Sequence, residues 1–252
     1  MMSQPVVAVP VVVELDPVPD VVLSLEAVSD LPDVVLLESR IDREEVSRYS
    51  FLVADPVEFV TCESTGQGVD PFARLRELLA ESETGRIAGL PPFQGGVVGM
   101  LGYELSEAWE TTHRAVHDEF CLPALAAGLY DRVIAWDHVL DRAWVISQGL
   151  PESDPQKRWQ RATRRADEIV ERLSPKNLST TDQTVSTATS LDRQQLAPLW
   201  PVEGHEGLFS DFSRESYLES VRRVIEYIHA GDIFQANLSQ RLLTQQPAPA
   251  RE

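Results

Sequence analysis

Four side chains that can form hydrogen bonds alternate with apolar ones near the carboxyl end of the sequence. They are Gln235, Asn237, Ser239 and Arg241, and the apolar residues among them are Phe234, Ala236, Leu238 and Leu242. This alternation over Ile233–Leu243 predicts a β-strand with one polar and one apolar face. A strand that lines a polar cavity would need such a face, but a strand edge in water would show the same pattern. The polar face is therefore a candidate pocket wall, with exposure to solvent as the alternative.

Two histidines four residues apart are another arrangement that could bind a ligand. His113 and His117 would share one face of a helix, and Asp118 or Glu119 could add a carboxylate. A zinc site needs three or four fixed ligands, and two histidines without a third are usually surface residues. We therefore expect no metal ion at these residues.

Three glycines spaced three residues apart, Gly96, Gly99 and Gly102, belong to the sequence PPFQGGVVGMLGYEL. They do not match the glycine pattern of a dinucleotide site, which opens a helix after a strand. Close packing of a strand backbone explains them better, because glycine has no side chain to hold a neighbour away.

The sequence has 22 basic and 40 acidic residues, so its formal net charge is −18. Nucleic acids and anionic membranes bind clustered lysine and arginine, so neither is an expected partner. Cys62 and Cys121 lack the spacing of a zinc site, and we expect thiols in a reducing compartment. The apolar amino-terminal run is interrupted by Pro5 and Pro10 and is shorter than the ~20 residues of a membrane span. We therefore predict a cytoplasmic protein.

Short valine-rich runs separated by turn signals dominate the amino-terminal half. The predicted strands are Val6–Val13, Val34–Glu38, Ser50–Ala54, Val57–Cys62, Val97–Leu101, Arg132–Asp137 and Arg142–Ser147. The last two predict a β-hairpin around His138–Asp141. Strands in series, interrupted by only two helices, predict an α+β fold with largely antiparallel sheets and flanking helices.

The two helices begin with the same pair of residues, an aspartate that can cap the helix and a proline at its first position. Asp70-Pro71 and Asp154-Pro155 mark these starts. The apolar residues at helical spacing are Phe72, Leu75, Leu78 and Leu79 in the first helix, and Trp159, Ala162, Ala166, Ile169 and Leu173 in the second. This spacing is typical of an amphipathic helix, so we expect both faces to be buried.

The composition changes at Leu178–Ser190, which contains eight serines or threonines in 13 residues. Such a segment buries too little to offset the entropy of ordering, so we predict a linker over residues 176–206. The linker separates an amino-terminal domain, residues 1–175, from a second structured region, residues 207–252.

An amphipathic helix opens this second region, and structure is expected to resume at Phe212. Ser213 is the predicted N-cap, and Gly231 has the position of a left-handed residue that ends the helix. The apolar stripe is formed by Tyr217, Leu218, Val221, Val224, Ile225 and Ile228. One such helix and one strand cannot bury their own apolar faces. We therefore expect residues 207–252 to be the incomplete start of a larger domain.

The segment GDIFQANLSQR, Gly231–Arg241, resembles the start of a chorismate-binding domain. Anthranilate synthase component I, aminodeoxychorismate synthase component I and isochorismate synthases share that domain. Pro91–Leu105 looks like the Gly-Gly segment of the amino-terminal domain in the first two families, which isochorismate synthases generally lack. Val34–Arg40 and Arg48–Pro56 are similar to the family's opening strand and its partner. The resemblance covers essentially the whole chain, but the family's remaining catalytic half has no counterpart in it.

This resemblance implies chemistry on chorismate, a dicarboxylate with a ring hydroxyl as the leaving group. In the family, Mg²⁺ held by glutamates helps the hydroxyl to leave, and a glutamine amidotransferase subunit supplies ammonia. Those glutamates have no match in the sequence, so we expect the ligands of the ion beyond residue 252 and name no catalytic residue. The substrate-pocket candidates are Gln235, Asn237, Ser239 and Arg241.

The resemblance also implies a pocket for L-tryptophan in the amino-terminal domain. Its candidate residues are Leu37, Glu38, Ser39, Arg48, Tyr49 and Ser50. A carboxylate and a hydroxyl can bind an ammonium group, and an aromatic ring can flank an indole. The alternative is that Glu38 and Ser39 only end a strand at a turn.

Asn237 distinguishes between the two remaining families. The stretch QANLSQR is similar to aminodeoxychorismate synthases, whereas anthranilate synthases more often have an apolar residue in place of this asparagine. We therefore predict component I of an aminodeoxychorismate synthase, which aminates chorismate on the route to 4-aminobenzoate and folate, with this chain alone inactive. The alternatives are anthranilate synthase component I, in tryptophan synthesis, and a non-catalytic module that senses tryptophan or docks the amidotransferase.

Overall fold

A computed structural model describes residues 8–38, 47–63, 68–111, 117, 120–178 and 197–244. The chain divides into two units. The first comprises Met1–Arg114 and Leu122–Val185, and the second comprises Ala115–Cys121 and Ser186–Glu252. A short segment between two elements of the first unit therefore belongs to the carboxyl-terminal one.

The first unit contains eight described strands and four α-helices. The strands are β1 (Val11–Leu15), β2 (Val35–Leu37), β3 (Tyr49–Val53), β4 (Glu58–Cys62), β5 (Gly96–Leu101), β6 (Leu125–Tyr130), β7 (Arg132–Asp137) and β8 (Arg142–Ser147). The helices are α1 (Val21–Ala27), α2 (Ala73–Glu81), α3 (Pro155–Arg172) and α4 (Pro175–Leu178), with a 3₁₀-helix at Tyr103–Ala108.

These strands form two antiparallel sheets. The five-stranded sheet has the order β1-β8-β7-β3-β2, and the three-stranded sheet has the order β4-β6-β5. One face of the larger sheet packs against α1 and α3, and its other face packs against the smaller sheet. The outer face of the smaller sheet is covered by α2 and the 3₁₀-helix. Both faces of each sheet therefore lie in apolar layers of the first unit.

The period-two pattern of β7 explains why both faces of the larger sheet are apolar. Ile134 and Trp136 point into the layer with α1 and α3, whereas Val133 and Ala135 point into the layer between the sheets. Alternate side chains of a strand lie on opposite faces, so one strand supplies two cores.

The α+β prediction is confirmed, and so is the hairpin of β7 and β8. The predicted strand Val6–Val13 is shifted, because β1 spans Val11–Leu15 and residues 6 and 7 lie outside the described residues. β6, the central strand of the smaller sheet, was missed. Its sequence LAAGLY lacks the β-branched residues that mark a strand.

Helix α1 was also missed, because its valine-rich sequence VVLSLEA resembles a strand. Its start has a clear signal, since the Asp20 side chain accepts hydrogen bonds from the backbone N–H groups of Val22 and Leu23. An aspartate in this position is a strong N-cap. The first unit therefore has more helices than the two that the sequence predicted.

The predicted aspartate cap is present in one of the two predicted helices and absent in the other. Asp154 caps α3 as predicted, accepting from the N–H of Lys157 at 2.9 Å. Asp70 does not cap α2, which begins at Ala73; its carboxylate accepts from the N–H of Phe72 instead.

Most of the predicted apolar faces are buried, but two large residues are not. Leu79 is 48% exposed and Trp159 is 61% exposed. These two residues of the predicted apolar stripes are therefore exposed to solvent and not packed in the core.

The second unit contains the antiparallel sheet β11-β10-β9 and one long helix. Its elements are β9 (Trp200–Pro201), β10 (Leu208–Ser210), α5 (Arg214–Ala230) and β11 (Leu242–Thr244). The predicted caps of α5 are confirmed: Ser213 accepts from the N–H of Ser216 at 3.1 Å, and Gly231 has a left-handed φ of 82°. The apolar stripe of α5 is only half-buried or exposed.

Two predicted boundaries change in this unit. β9 and β10 precede Phe212, and β9 lies within the predicted linker 176–206, as does most of α4 at its other end. Residues 179–196 of that linker lie outside the described residues, so for them the linker stays a prediction. The predicted strand Ile233–Leu243 is wrong over most of its length, because strand pairing begins only at Leu242.

Candidate functional site

Three of the four substrate-pocket candidates lie on an exposed segment without strand pairing. Gln235, Asn237 and Ser239 are exposed, and the neighbouring Phe234 is 91% exposed. The segment follows the left-handed turn at Gly231 that ends α5. These three side chains therefore face solvent in this structure, and their role as a pocket wall stays a prediction.

Arg241, the fourth candidate, is held at the end of the small sheet. Its backbone N–H donates to Oδ1 of Asp211 at 2.8 Å, and its carbonyl oxygen accepts from the N–H of Asp211 at 3.1 Å. Its guanidinium carbon lies 5.4 Å from the centre of the Phe120 ring, within the range of a cation–π contact. Arg241 is thus half-buried and fixed by contacts to two other segments.

The second unit also has a cleft of about 750 Å³. This volume lies within the range of about 300–1,000 Å³ that is typical of small-molecule sites. The lining residues include Trp200 of β9, Phe212 just before α5 and Tyr217 of α5, together with Gln240 and Leu242. None of the four candidates lines it. Among the described residues of its lining, Arg214 is the one lysine or arginine, and Glu203 and Glu215 are also present. These residues are a poor match for a dicarboxylate.

The tryptophan candidates lie on the neighbouring strands β2 and β3, as predicted, but not on one face. Leu37 pairs with Phe51, and Tyr49 lies on the same face, with its ring centre 6.1 Å from that of Phe51. Ser50 lies on the opposite face, fully buried, with its Oγ 2.7 Å from Nε2 of His138. Glu38 is exposed, and Ser39 lies outside the described residues.

Arg48 is engaged by an aspartate of β7. Its Nη2 donates to Oδ2 of Asp137 at 2.7 Å, and its Nε donates to both carboxylate oxygens. Burial alone would raise the pKa of Asp137, but the hydrogen bonds from Arg48 and from the N–H groups of Leu140 and Val139 hold that pKa below its usual value. The guanidinium also lies 5.0 Å from the Tyr49 ring. In this structure Arg48 therefore links the start of β3 to the end of β7 through Asp137.

Two aromatic residues that the sequence did not single out extend this surface. The rings of Phe51 and Phe93 meet edge to face at 5.7 Å. Phe93 belongs to the segment Pro91–Leu105, so that segment packs directly on β3. An aromatic residue inside a glycine-rich motif was the available signal.

Gly99 packs closely against the neighbouring strand, as predicted, whereas a Cβ atom on Gly96 would make only an ordinary contact. A Cβ atom on Gly99 would lie 2.2 Å from the carbonyl oxygen of Ala126 on β6. Gly95 and Gly96 have φ values of 123° and 136°, which side chains rarely adopt. At Gly95 a Cβ would also meet the Gln148 side chain. The glycines of this segment thus allow the backbone of β5 to pack closely beside β6.

A group of buried charges in the first unit was not predicted. Asp131, the single residue between β6 and β7, is fully buried, and its Oδ1 lies 3.1 Å from Nη2 of Arg165. Arg165 also donates to Oδ2 of Asp55 at 2.7 Å. Arg132 donates to Oε2 of Glu168 at 3.0 Å. Burial raises the pKa of Asp131 above its usual value, although the surrounding arginines favour its ionised form.

Three arginines of α3 recur at helical spacing on the side of this group. Arg158 and Arg161 donate to the carbonyl oxygens of Gln148 and Leu150, just after β8, and Arg165 follows four residues later. Arginines spaced three and four residues apart lie on one face of a helix, so the sequence could have indicated this polar face.

No three His, Cys, Asp or Glu side chains converge on a possible metal position in the part of the chain that the structure describes. Of the histidine pair weighed above, His113 lies outside the described residues, and so do Asp118 and Glu119. None of the described helices combines the length and the apolar character that a membrane crossing requires. The cytoplasmic location stays a prediction.

The chain belongs to the family of chorismate binding enzymes, whose family model matches residues 32–251. It is 34% identical over 208 residues to anthranilate synthase component 1 of Streptomyces coelicolor. It is 27% identical over 225 residues to aminodeoxychorismate synthase component 1 of Escherichia coli. These alignments cover 82% and 84% of this chain but 37% and 42% of those proteins, so the chain spans about two fifths of their length.

A solved structure supports the same assignment of the fold. Anthranilate synthase component I from Streptococcus pneumoniae matches with a TM-score of 0.53 and 22% identity, covering 93% of this chain and 50% of that one. The family prediction made from Gly231–Arg241 and Pro91–Leu105 is thereby confirmed. Relatives carry both the aminodeoxychorismate and the anthranilate names, so they do not separate the two reactions.

Proposed function

We propose that this chain belongs to component I of an aminodeoxychorismate synthase, which converts chorismate to 4-amino-4-deoxychorismate. The observation that carries the proposal is Asn237 within Gly231–Arg241, in a chain that belongs to the chorismate binding enzymes. The product feeds the synthesis of 4-aminobenzoate and folate. Relatives named as component 1 support a glutamine amidotransferase as the partner that supplies ammonia.

The proposed reaction replaces a hydroxyl with an amino group. The ammonia nitrogen forms a bond to the ring carbon, the carbon–oxygen bond breaks, and the hydroxyl leaves with a proton as water. The product keeps both carboxylates and the enolpyruvyl ether. A site for this substrate must therefore bind two negative charges and recognise the ether side chain.

Arg241 is the candidate of this chain best suited to a carboxylate. Its planar guanidinium can donate two parallel hydrogen bonds to a carboxylate, which a neutral side chain cannot do. In a chain of formal charge −18, a dianionic substrate needs such a local cation. The exposed Gln235, Asn237 and Ser239 would then add hydrogen bonds to the ring or to the ether.

Mg²⁺ is part of the proposal for the whole enzyme only. The acidic, histidine and cysteine side chains of the described residues do not fit a bound metal ion. The ion is therefore assigned no role among the described residues, and its ligands in the whole enzyme are proposed to be glutamates.

Anthranilate synthase component I is the second candidate. The 34% identity to the Streptomyces coelicolor protein favours it, since this value exceeds the 27% identity to the Escherichia coli aminodeoxychorismate synthase. The two reactions use the same substrate and differ in their product, because anthranilate formation also expels pyruvate. Product identity therefore separates them.

The test supplies chorismate, Mg²⁺ and ammonium to the natural gene product that contains this sequence. Anthranilate is followed by its fluorescence, and aminodeoxychorismate by a coupled lyase that releases 4-aminobenzoate. We expect 4-aminobenzoate without anthranilate. Fluorescent anthranilate without 4-aminobenzoate would establish the second candidate instead.

An asparagine variant tests the residue on which the proposal depends. Asn237→Val should lower kcat/KM for chorismate by about 10-fold or more, because a site built to hydrogen-bond its substrate loses a partner. Gln156→Val, at an exposed position of α3 in the first unit, is the matched control. Equal kinetics of the two variants would mean that Asn237 only contacts water.

A further inference from the structure

We infer that a single internal water molecule joins the side chains of Arg132 and Asp55 in a cavity of the first unit. This inference is independent of the proposed function, because it rests on contacts within the first unit alone. It assigns a ligand to a cavity that the sequence did not indicate.

The cavity borders the apolar layer between the larger sheet and the helices α1 and α3. Its volume is about 10 Å³, close to the minimum that one water molecule requires. Arg132 is the one polar residue among the described residues that line it, and the apolar ones include Val28, Leu52 and Ile169. A ligand in this cavity must therefore be very small and must contact the guanidinium of Arg132.

The guanidinium of Arg132 has one terminal nitrogen that is not satisfied by the described residues. Nη1 donates to Oε2 of Glu168 at 3.0 Å and to the carbonyl oxygen of Arg165 at 3.2 Å. Nη2 is buried and donates no hydrogen bond to a described residue. The side chain of Arg132 is 2% exposed, so bulk solvent does not reach this nitrogen. Because a buried N–H group without an acceptor is costly, Nη2 calls for an acceptor in the cavity.

Asp55 supplies the second side of the site. Its Oδ2 lies 3.7 Å from Nη2 of Arg132, too far for a direct hydrogen bond. A third atom can lie within hydrogen-bond distance of both atoms, so a polar contact of this length has room for a water bridge. Oδ2 also accepts from Nη1 of Arg165 at 2.7 Å, which holds the carboxylate in its position. The gap between Arg132 and Asp55 is therefore fixed from both ends.

The chemistry of the two partners selects water over an ion. Arg132 can only donate hydrogen bonds and the Asp55 carboxylate can only accept them, so the ligand must accept from one and donate to the other. A halide ion accepts but does not donate, and it would lie near the carboxylates of Asp55 and Glu168. A metal cation would be repelled by the guanidinium. Water accepts and donates, and it fits the volume.

A high-resolution crystal structure of the natural gene product tests the site directly. We expect a density peak for one water molecule at about 2.7–3.2 Å from Nη2 of Arg132 and from Oδ2 of Asp55. Crystals soaked in bromide test for an anion, and they should show no anomalous peak in the cavity. An empty cavity, a direct hydrogen bond between the two side chains or a bromide peak would overturn the inference.

A variant tests whether Arg132 holds the water molecule. Arg132→Met removes the donor and keeps an unbranched side chain, so the density peak should disappear. In solution, magnetic relaxation dispersion of the water oxygen nucleus detects water molecules that stay bound longer than the protein takes to tumble. Its amplitude should fall in Arg132→Met by the contribution of one molecule.

Arg164→Met, at an exposed position of α3, is the matched control and should keep both the peak and the amplitude. A peak or an amplitude that survives Arg132→Met unchanged would overturn the inference. The wild-type crystal decides the question even if Arg132→Met does not fold.

Discussion

The carboxylate of Asp137 links two strands of the larger sheet and makes the free energy of unfolding depend on pH. It is 4% exposed and accepts three hydrogen bonds from Arg48 atoms, as well as bonds from the N–H groups of Val139 and Leu140. These donors favour the ionised form and lower its pKa despite its burial. The pair therefore joins β3 to the turn that follows β7.

Asp137→Asn should flatten the acid limb of the stability profile. The folded pKa lies below the unfolded value of about 3.9, so the ionised form stabilises the wild type above about pH 4. That stabilisation is lost as pH falls through the lowered folded pKa. Asparagine keeps an oxygen acceptor but does not titrate, so its free energy of unfolding should fall less steeply below about pH 4. Urea unfolding at a series of pH values measures this, and parallel profiles for the two proteins would contradict it.

Gly99→Ala should destabilise the first unit, although alanine is the smallest change available. The added Cβ would lie 2.2 Å from the backbone oxygen of Ala126, which cannot move without breaking the β5–β6 pairing. Overpacking of this kind costs about 1–3 kcal/mol of the free energy of unfolding. At Gly102 the nearest atom to a new Cβ is the end of the flexible Glu104 side chain, 3.3 Å away. Gly102→Ala is thus the control, and equal losses in urea unfolding would rule out the packing argument.

At the scale of elements, α3 is attached to the first unit by charges as well as by its apolar stripe. Ala162, Ala166 and Ile169 are buried in the conventional way. Arg165 lies among them, 8% exposed, and bridges Asp55 and Asp131. A helix that buries an arginine in its apolar face depends on the partners of that arginine being in place.

Arg165→Met should therefore lower the free energy of unfolding much more than a change between two side chains of similar size would. Removing one partner from a buried charge network leaves the carboxylates uncompensated, which typically costs about 3–5 kcal/mol. The neighbouring Arg164 is exposed, so Arg164→Met should change the free energy of unfolding by less than about 0.5 kcal/mol. Denaturant unfolding of both variants provides the comparison. A loss below about 1 kcal/mol at Arg165 would mean that water replaces the lost ion pairs without penalty.

The elements that the sequence predicted correctly are those with strong local signals. α3 and α5 were found because an aspartate or serine cap and a helical apolar stripe agree, and β7 and β8 because a turn separates two apolar runs. α1 was missed because valine favours strands, and its packing against the larger sheet overrides that preference. β6 was missed because its small residues are required by close packing: a Cβ on Gly128 would lie 2.9 Å from Pro56. Such contacts come from residues distant in sequence.

At the scale of the whole molecule, the predicted sites depend on segments that only the fold brings together. The family and its fold were predictable from Gly231–Arg241 and Pro91–Leu105, since both motifs are local. The strand predicted for Ile233–Leu243 failed because alternation alone does not supply a pairing partner. Neither Phe120 beside Arg241 nor Phe93 beside Phe51 could be read from spacing, because each pair joins distant parts of the chain.

L-Tryptophan binding to the first unit is a prediction that calorimetry can test directly. The adjacency of β2 and β3 and the row of rings from Tyr49 through Phe51 to Phe93 support an indole-binding surface in the first unit. If the pocket is present, tryptophan at a hundredfold excess over Kd should raise the free energy of unfolding by about 2.7 kcal/mol. Glu38→Ala should remove the effect, and Glu63→Ala, another exposed glutamate, should not. The absence of binding heat at millimolar tryptophan would argue against the pocket.

The chain passes from the smaller sheet to the larger one through Asp131 alone. β6 ends at Tyr130 and β7 begins at Arg132, so no loop absorbs a change in length. One inserted residue would turn every side chain of β7 to the opposite face, because strand side chains alternate. The turn at residues 138–141 is exposed and connects two strands of the same sheet, so it could accommodate an insertion. Length variation among natural versions of this chain, and any epitope or fluorophore added in the laboratory, should therefore be tolerated at the hairpin and rejected at the crossing.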